Sequence, residues 1–181
     1  YALWADGMQG DLLNTSISQI GPYTDKMRQV AGASRGVWMV LQGFSWEMLR
    51  EKDRDPKMVR YPTQAETRFM AYQAIVHGAT GLLWWGLYRT PPESGLWESI
   101  AATAGELKGI GAELAAAPVK AAVEIEYHDT GHSLDRGIEW IAKPSGKGLL
   151  VIAVNADKNP VEATLKLRGW TRRELFEPFG V

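Results

Sequence analysis

Two carboxylates in the N-terminal half of the chain follow segments that are predicted to be strands. Asp11 stands at the end of segment 1–11, and Glu47 follows shortly after Gln42, where an unbroken apolar run over 37–41 stops. The carboxyl ends of buried strands are where α/β proteins place their chemistry. Paired carboxyl groups there can perform acid/base and nucleophilic work. Asp11 and Glu47 are therefore candidate catalytic residues; the competing interpretations are a helix-capping or loop aspartate and a solvated loop glutamate.

Aromatic and polar side chains at the same predicted strand ends favour a sugar as the ligand. The chain has eight tryptophans in 181 residues. Sugar rings present apolar C–H faces that stack on aromatic rings, and an indole N–H donates to hydroxyls. Trp46, Trp85 and Tyr88 are the predicted substrate platforms, and Gln42 is a predicted hydrogen-bonding contact. Arg60 is a further candidate for substrate binding, although arginines of this kind more often pair with surface carboxylates.

Composition excludes several other kinds of partner. The net charge of −1 gives no basic surface for nucleic acid, and no apolar run approaches the roughly 18 residues that span a membrane. The absence of cysteine removes disulfides and thiolate chemistry. The HDTGH segment, 128–132, favours a polar turn between strands over a metal site. The cellular location stays open, and an extracellular or periplasmic one is compatible with the sequence.

The first 117 residues alternate between strand and helix patterns. Strands are predicted over 1–11, 37–42 and 81–86, and helices over 15–31, from Thr63 to about Gly78, and over 95–116. Thr63 and Glu66 form a capping-box pattern at the start of the second helix. The segment 47–62 is charged and irregular, which is typical of a long functional or mobile loop. The alternation predicts βαβ units with a parallel sheet.

The predicted secondary structure changes at Pro118, from alternating strands and helices to short strands alone. Short strands are predicted over 123–127, 138–142, 149–155, 161–167 and 173–179, separated by turn residues. Strict alternation in the first of them is typical of an antiparallel sheet with one solvated face. The sequence thus predicts two domains, an α/β domain over 1–117 and a small antiparallel β-sandwich over 118–181.

Several stretches resemble the C-terminal part of (β/α)8-barrel glycoside hydrolases. The stretches are VWMVLQGFSWE (37–47), RYPTQAETRFMAYQAIVHGATGLLWWGLY (60–88) and LWESIAATAGELKGIGAEL (96–114). The tail, VIAVNADKNPVEATLKL (151–167) with ELFEPF (174–179), resembles the β-sandwich that follows such barrels. The likeness is to the retaining clan that includes β-galactosidases and cellulases. It implies that segments 1–11, 37–42 and 82–86 are strands six, seven and eight of a barrel. The chain would then hold a partial TIM barrel of about three βα units.

The resemblance implies hydrolysis of a glycosidic bond by carboxylate acid/base chemistry, without a cofactor or a metal. In that clan the acid/base residue follows strand four, which would lie upstream of residue 1, and the nucleophile is a glutamate at the end of strand seven. This sequence has Gln42 at that position, and a neutral amide cannot attack an anomeric carbon. A non-catalytic carbohydrate-binding protein on the same scaffold is therefore the first alternative, and a barrel enzyme of another chemistry is the second.

A barrel needs about 250 residues, so 117 residues predict an incomplete one. Three parallel strands alone would leave two open sheet edges and an exposed apolar face. We expect the isolated chain to aggregate, or to be completed by the missing N-terminal part of the barrel or by another copy of the chain. Size-exclusion chromatography tests this expectation, and a well-behaved monomer with cooperative unfolding would contradict it.

Overall fold

The computed structural model describes residues 16–129, 131–146 and 148–169. The strands predicted over 1–11 and 173–179, and the candidate catalytic residue Asp11, lie outside these ranges. The chain divides into two compact units between Gly105 and Glu106. In the described ranges, no helix is both long enough and apolar enough to cross a bilayer.

In its described residues the first unit follows the predicted order of helices and strands, with one additional short helix, α2. Its elements are α1 (Ile20–Ala31), β1 (Trp38–Gln42), α2 (Trp46–Leu49), α3 (Gln64–Val76), β2 (Gly81–Trp85) and α4 (Leu96–Gly109), the last of which crosses the division between the units. Short 3-10 turns occupy Ile17–Gln19, Pro56–Met58, Leu87–Arg89 and Pro92–Ser94. The segment 47–62, expected to be an irregular loop, therefore contains most of α2 and one 3-10 turn.

Strands β1 and β2 pair in parallel, and α3 lies between them in the chain, so they form the predicted βαβ unit. The register runs from Trp38 opposite Gly81 to Gln42 opposite Trp85. Met39 and Leu41 are buried on one face of β1, whereas Trp38 on the other face is 64% exposed. A Cβ at residue 81 would lie 2.7 Å from the Trp38 ring, so a glycine there lets the indole lie across the neighbouring strand.

Helix α3 begins with the capping box that the sequence predicted. The Thr63 hydroxyl accepts the Glu66 N–H at 3.2 Å, and the Glu66 carboxylate accepts the Thr63 N–H at 2.9 Å. Burial raises the pKa of Glu66, but the Thr63 N–H and the Arg60 guanidinium outweigh it and hold that pKa below its ordinary value. The helix ends at Val76, before Gly78 with a φ of 90°. The buried side of α3 includes Met70 and Ala74.

After the end of α4, the described residues of the second unit form one short helix and four strands. These are α5 (Gly111–Ala115), β3 (Val123–Tyr127), β4 (Ile138–Ser145), β5 (Gly148–Asn155) and β6 (Ala163–Leu167). Strand β3 pairs antiparallel with β6, and β4 pairs antiparallel with β5, giving a two-stranded sheet in each case. The helix predicted over 95–116 is interrupted at Ile110, because Gly109 and Gly111 flank it and glycine is a poor helix former.

A buried lysine joins α5 to β4 inside the second unit. The Lys143 ammonium donates to the carbonyl oxygens of Leu114 at 3.2 Å and Ala116 at 2.6 Å. These carbonyls lie at the end of α5, where helical carbonyl groups lack partners along the helix and cations are favoured. Burial lowers the pKa of Lys143. The last residues of the helix predicted over 95–116 therefore belong to the second unit. The sequence had instead suggested a domain boundary after residue 117.

We expect Thr63→Ala to lower the free energy of unfolding of the first unit by about 1 kcal/mol, because the Glu66 N–H loses its acceptor. Thr63→Ser keeps the hydroxyl and is the matched control. Chemical denaturation followed by circular dichroism measures both. Equal stability of the alanine and serine variants would show that the capping box contributes nothing.

Candidate functional site

Gln42 and Trp85 end the two parallel strands side by side. They are the last pair in the register, and the ladder continues as the Gly43 N–H donates to the Trp85 carbonyl oxygen at 2.9 Å. The Gln42 side chain is fully buried, and its Nε2 donates to the Phe44 carbonyl oxygen at 3.0 Å. The amide at the end of β1 therefore shapes the turn that follows it.

Four aromatic rings form a continuous row beyond these strand ends. Ring centroids lie 4.9 Å apart from Trp46 to Phe44, 5.3 Å from Phe44 to Trp85 and 6.1 Å from Trp85 to Tyr88. Each pair meets edge to face, at interplanar angles of 80° to 88°, a preferred geometry for aromatic pairs. The row, defined as Trp46, Phe44, Trp85 and Tyr88, brings together all three platforms that the sequence predicted.

Phe44 is the member of the aromatic row that sequence reasoning did not select. It is buried and touches the rings on both sides, so it links Trp46 to Trp85. Gly86 makes room for it, since a Cβ at residue 86 would lie 2.7 Å from Phe44, and the φ of 92° at residue 86 also favours glycine. The available signal was the aromatic-rich stretch directly after a buried strand.

The outer end of the aromatic row is open to solvent. Trp85 is 49% exposed and Tyr88 is 73% exposed. The Arg89 guanidinium carbon lies 5.7 Å from the centroid of the Tyr88 ring, and Arg89 also approaches Glu51 at 4.0 Å. Two adjacent exposed aromatic side chains with a cation beside them can bind a ligand that has both apolar faces and polar groups.

A hydroxyl that the sequence analysis did not select fastens the two strand ends together. Thr90 is buried, and its Oγ1 donates to the Gly43 carbonyl oxygen at 2.8 Å. The Trp97 indole N–H donates to the Thr90 carbonyl oxygen at 3.2 Å, which packs Trp97 under the loop after β2. Nothing in the local sequence distinguishes Thr90 from an ordinary loop threonine, because its partner, Gly43, is 47 residues away in the turn after β1.

Glu47 is 1% exposed, which is unlike the solvated loop carboxylate that was one interpretation of it. It is the second residue of α2, and its Oε1 accepts the backbone N–H of Asp55 and lies 3.7 Å from the Arg50 guanidinium. The carboxylate therefore braces the charged segment 50–58 against α2. In this structure Glu47 is a buried group that holds a loop, and its catalytic role stays a prediction.

Arg60 pairs with a surface carboxylate, the commoner of the two interpretations. Its guanidinium donates to Glu66, and its backbone N–H donates to the Ser45 hydroxyl at 3.1 Å. Arg60 therefore ties the start of α3 to the turn after β1. Within the part of the chain that the structure describes, no group of three or more histidine, cysteine or acidic side chains is arranged to hold a metal ion.

Comparison with known protein families, with curated proteins and with solved structures finds no match to this chain.

We expect Glu47→Ala to loosen segment 50–58, because the Asp55 N–H and the Arg50 guanidinium lose a buried acceptor worth about 1–3 kcal/mol. Limited trypsin digestion measures this as faster cleavage after Lys52 and Arg54. Glu51→Ala removes a carboxylate from the same segment whose side chain is 82% exposed, and is the matched control. Equal cleavage rates in the two variants would contradict the bracing role.

Proposed function

We propose that this chain is the C-terminal part of a (β/α)8-barrel glycoside hydrolase, and that its first unit supplies one wall of a sugar-binding site. One observation carries the proposal. Gln42 and Trp85 end adjacent parallel strands in register, and an aromatic row extends from that edge to two exposed rings, those of Trp85 and Tyr88. In barrel enzymes the active site lies at the carboxyl ends of the strands.

The open sheet face supports the barrel part of the proposal. Trp38 is 64% exposed and Leu83 is 46% exposed, and they stand on the face of the sheet opposite Met39 and Leu41. Large apolar side chains on one face of a parallel sheet are normally covered, because parallel sheets are buried on both sides. In the proposed protein this face is the barrel interior, and further strands from the N-terminal part of the barrel or from another copy of the chain cover it. The strands of the second unit then belong to the appended β-sandwich.

Stacking is the interaction through which the aromatic row would hold a sugar. A pyranose ring laid on the exposed face of Trp85 buries its C–H groups, while its hydroxyls stay available to polar neighbours such as Arg89. Such binding needs no charge at residue 42. Hydrolysis in addition needs two carboxyl groups, about 5–5.5 Å apart for retention and about 6.5–9.5 Å apart for inversion. Glu47 and Asp11 are the proposed catalytic carboxylates of this half, and the acid/base partner would follow an upstream strand.

A non-catalytic carbohydrate-binding protein on the same scaffold is the second candidate. Two observations favour it. The side chain in the nucleophile position is the amide of Gln42, and the Glu47 carboxylate is already engaged by Asp55 and Arg50. Both candidates use the same aromatic row, so they differ only in whether a bound glycoside is cleaved.

We expect Trp85→Ala to weaken binding of soluble oligosaccharides about tenfold or more, since loss of a stacking surface costs on the order of 1.5 kcal/mol. Calorimetric titration with β-linked gluco- and galacto-oligosaccharides measures the affinity. Trp38→Ala is the matched control, because Trp38 is an exposed tryptophan on the same sheet at the opposite end of the strands. Unchanged affinity in Trp85→Ala, or an equal loss in Trp38→Ala, would overturn the sugar-binding proposal.

Turnover of aryl glycosides by the complete barrel protein separates the two candidates. The hydrolase assignment of Glu47 requires that Glu47→Gln, which keeps a hydrogen-bond acceptor for Asp55, loses turnover while oligosaccharide binding survives. Binding without turnover in the unaltered protein would favour the non-catalytic candidate.

A further inference from the structure

A carboxylate joins two polar segments of the second unit, the loop 131–137 before β4 and the turn 155–160 after β5. Asp157 Oδ2 accepts backbone N–H groups from Asp135 at 2.7 Å, Arg136 at 3.2 Å and Gly137 at 3.4 Å. Its other oxygen accepts the Asn159 N–H at 3.3 Å within the turn. The hydrogen bond from the Asp135 N–H has the largest effect on the pKa of Asp157. Together with the other N–H groups, it lowers that pKa to about 2.

His132 joins the same two segments through Nε2, while Nδ1 faces a carbonyl oxygen of its own segment. Nδ1 lies 3.1 Å from the Ser133 carbonyl oxygen, and Nε2 lies 3.3 Å from the Pro160 carbonyl oxygen. A carbonyl oxygen only accepts hydrogen bonds, and a neutral imidazole carries only one N–H. Both contacts are hydrogen bonds at the same time only when the ring is an imidazolium with two N–H groups.

The charges around His132 favour that cation. The charged groups on the two segments and their flanks are Asp129, Asp135, Arg136 and Glu139 on one side and Asp157, Lys158 and Glu162 on the other. The carbonyls of Ser133 and Pro160 raise the pKa of His132 above 6.5, and the Asp157 carboxylate adds to this effect. The imidazolium thus has two acceptors and a nearby anion.

His128 provides an internal contrast a few residues away. Its Nε2 lies 2.9 Å from the Thr164 hydroxyl, which can donate or accept. That contact survives in either protonation state, whereas the pair of contacts at His132 does not. The two histidines of the HDTGH segment therefore differ in how their bonds depend on the proton.

We propose that His132 and the 155–160 turn form a proton-dependent latch on the second unit, held by both ring contacts while the imidazole carries both protons and weakened by the loss of one contact when a proton leaves. The latch stands independently of the proposed function. Because the folded-state pKa of His132 is raised, its contribution to stability is complete below 6.5 and is lost as the pH rises through the folded-state pKa. Asp157 sets the other limit, since its contribution is lost as the pH falls from 3.8 towards about 2.

Histidine-selective ¹⁵N NMR on the full chain tests the latch directly. We expect the His132 ring to carry two N–H groups at about pH 6 and to titrate with a midpoint above 6.5. Asp157→Asn should lower that midpoint, since it removes the nearby anion. A midpoint at or below 6.5 in the unaltered chain would overturn the proposal.

Thermal unfolding, followed through the amide signals of β4 and β5, gives the second readout. His132→Gln should unfold a few degrees below the unaltered chain at about pH 5.5, and the gap should narrow as the pH rises through the folded-state pKa of His132. His128→Gln is the matched control, because the ring contact of His128 with the Thr164 hydroxyl does not require a second ring proton. A His132→Gln gap that stays constant with pH would contradict the latch, and the NMR titration decides the question if this variant fails to fold.

Discussion

The parallel pairing of β1 with β2 is the interaction on which the first unit depends. The pairing begins where the Thr80 hydroxyl accepts the Val37 N–H at 2.9 Å, and it ends where the Gly43 N–H reaches the Trp85 carbonyl. Because register fixes which side chains share a face and an end, this single pairing puts Gln42 beside Trp85. The turn after β1 and the loop after β2 then meet, and the aromatic row follows from that meeting.

Features that depend on neighbours in the sequence were predictable. The apolar run over 37–41 and the Gly-Leu-Leu-Trp-Trp segment predicted the two strands, and Thr63 with Glu66 predicted the start of α3. Features that depend on a partner elsewhere were not. Within a charged stretch nothing local indicates that Glu47 is buried, because its burial depends on accepting the Asp55 N–H after the chain has turned back. Gly109 and Gly111 indicated a break between α4 and α5, but the many alanines around them favoured one continuous helix.

The candidate site combines apolar recognition with little free charge. Its aromatic row presents two exposed rings, while Gln42 and Glu47 are buried and hydrogen-bonded to the segments that follow them. The proposed ligand, a neutral hydroxylated sugar, would stack its apolar faces on these rings. Polar residues at the strand end thus position the loops, and the exposed aromatic rings form the proposed binding surface. The residue types of the site were therefore predictable from the sequence, whereas the role of each residue depends on contacts that the sequence does not show.

The conformation of Gly86 couples two positions that are far apart in the sequence. A side chain at residue 86 would have to adopt a positive φ, and its Cβ would lie 2.7 Å from the Cβ and the ring of Phe44. A glycine at residue 86 is therefore the condition for the Phe44 ring, and for the link from Trp46 to Trp85 that this ring makes.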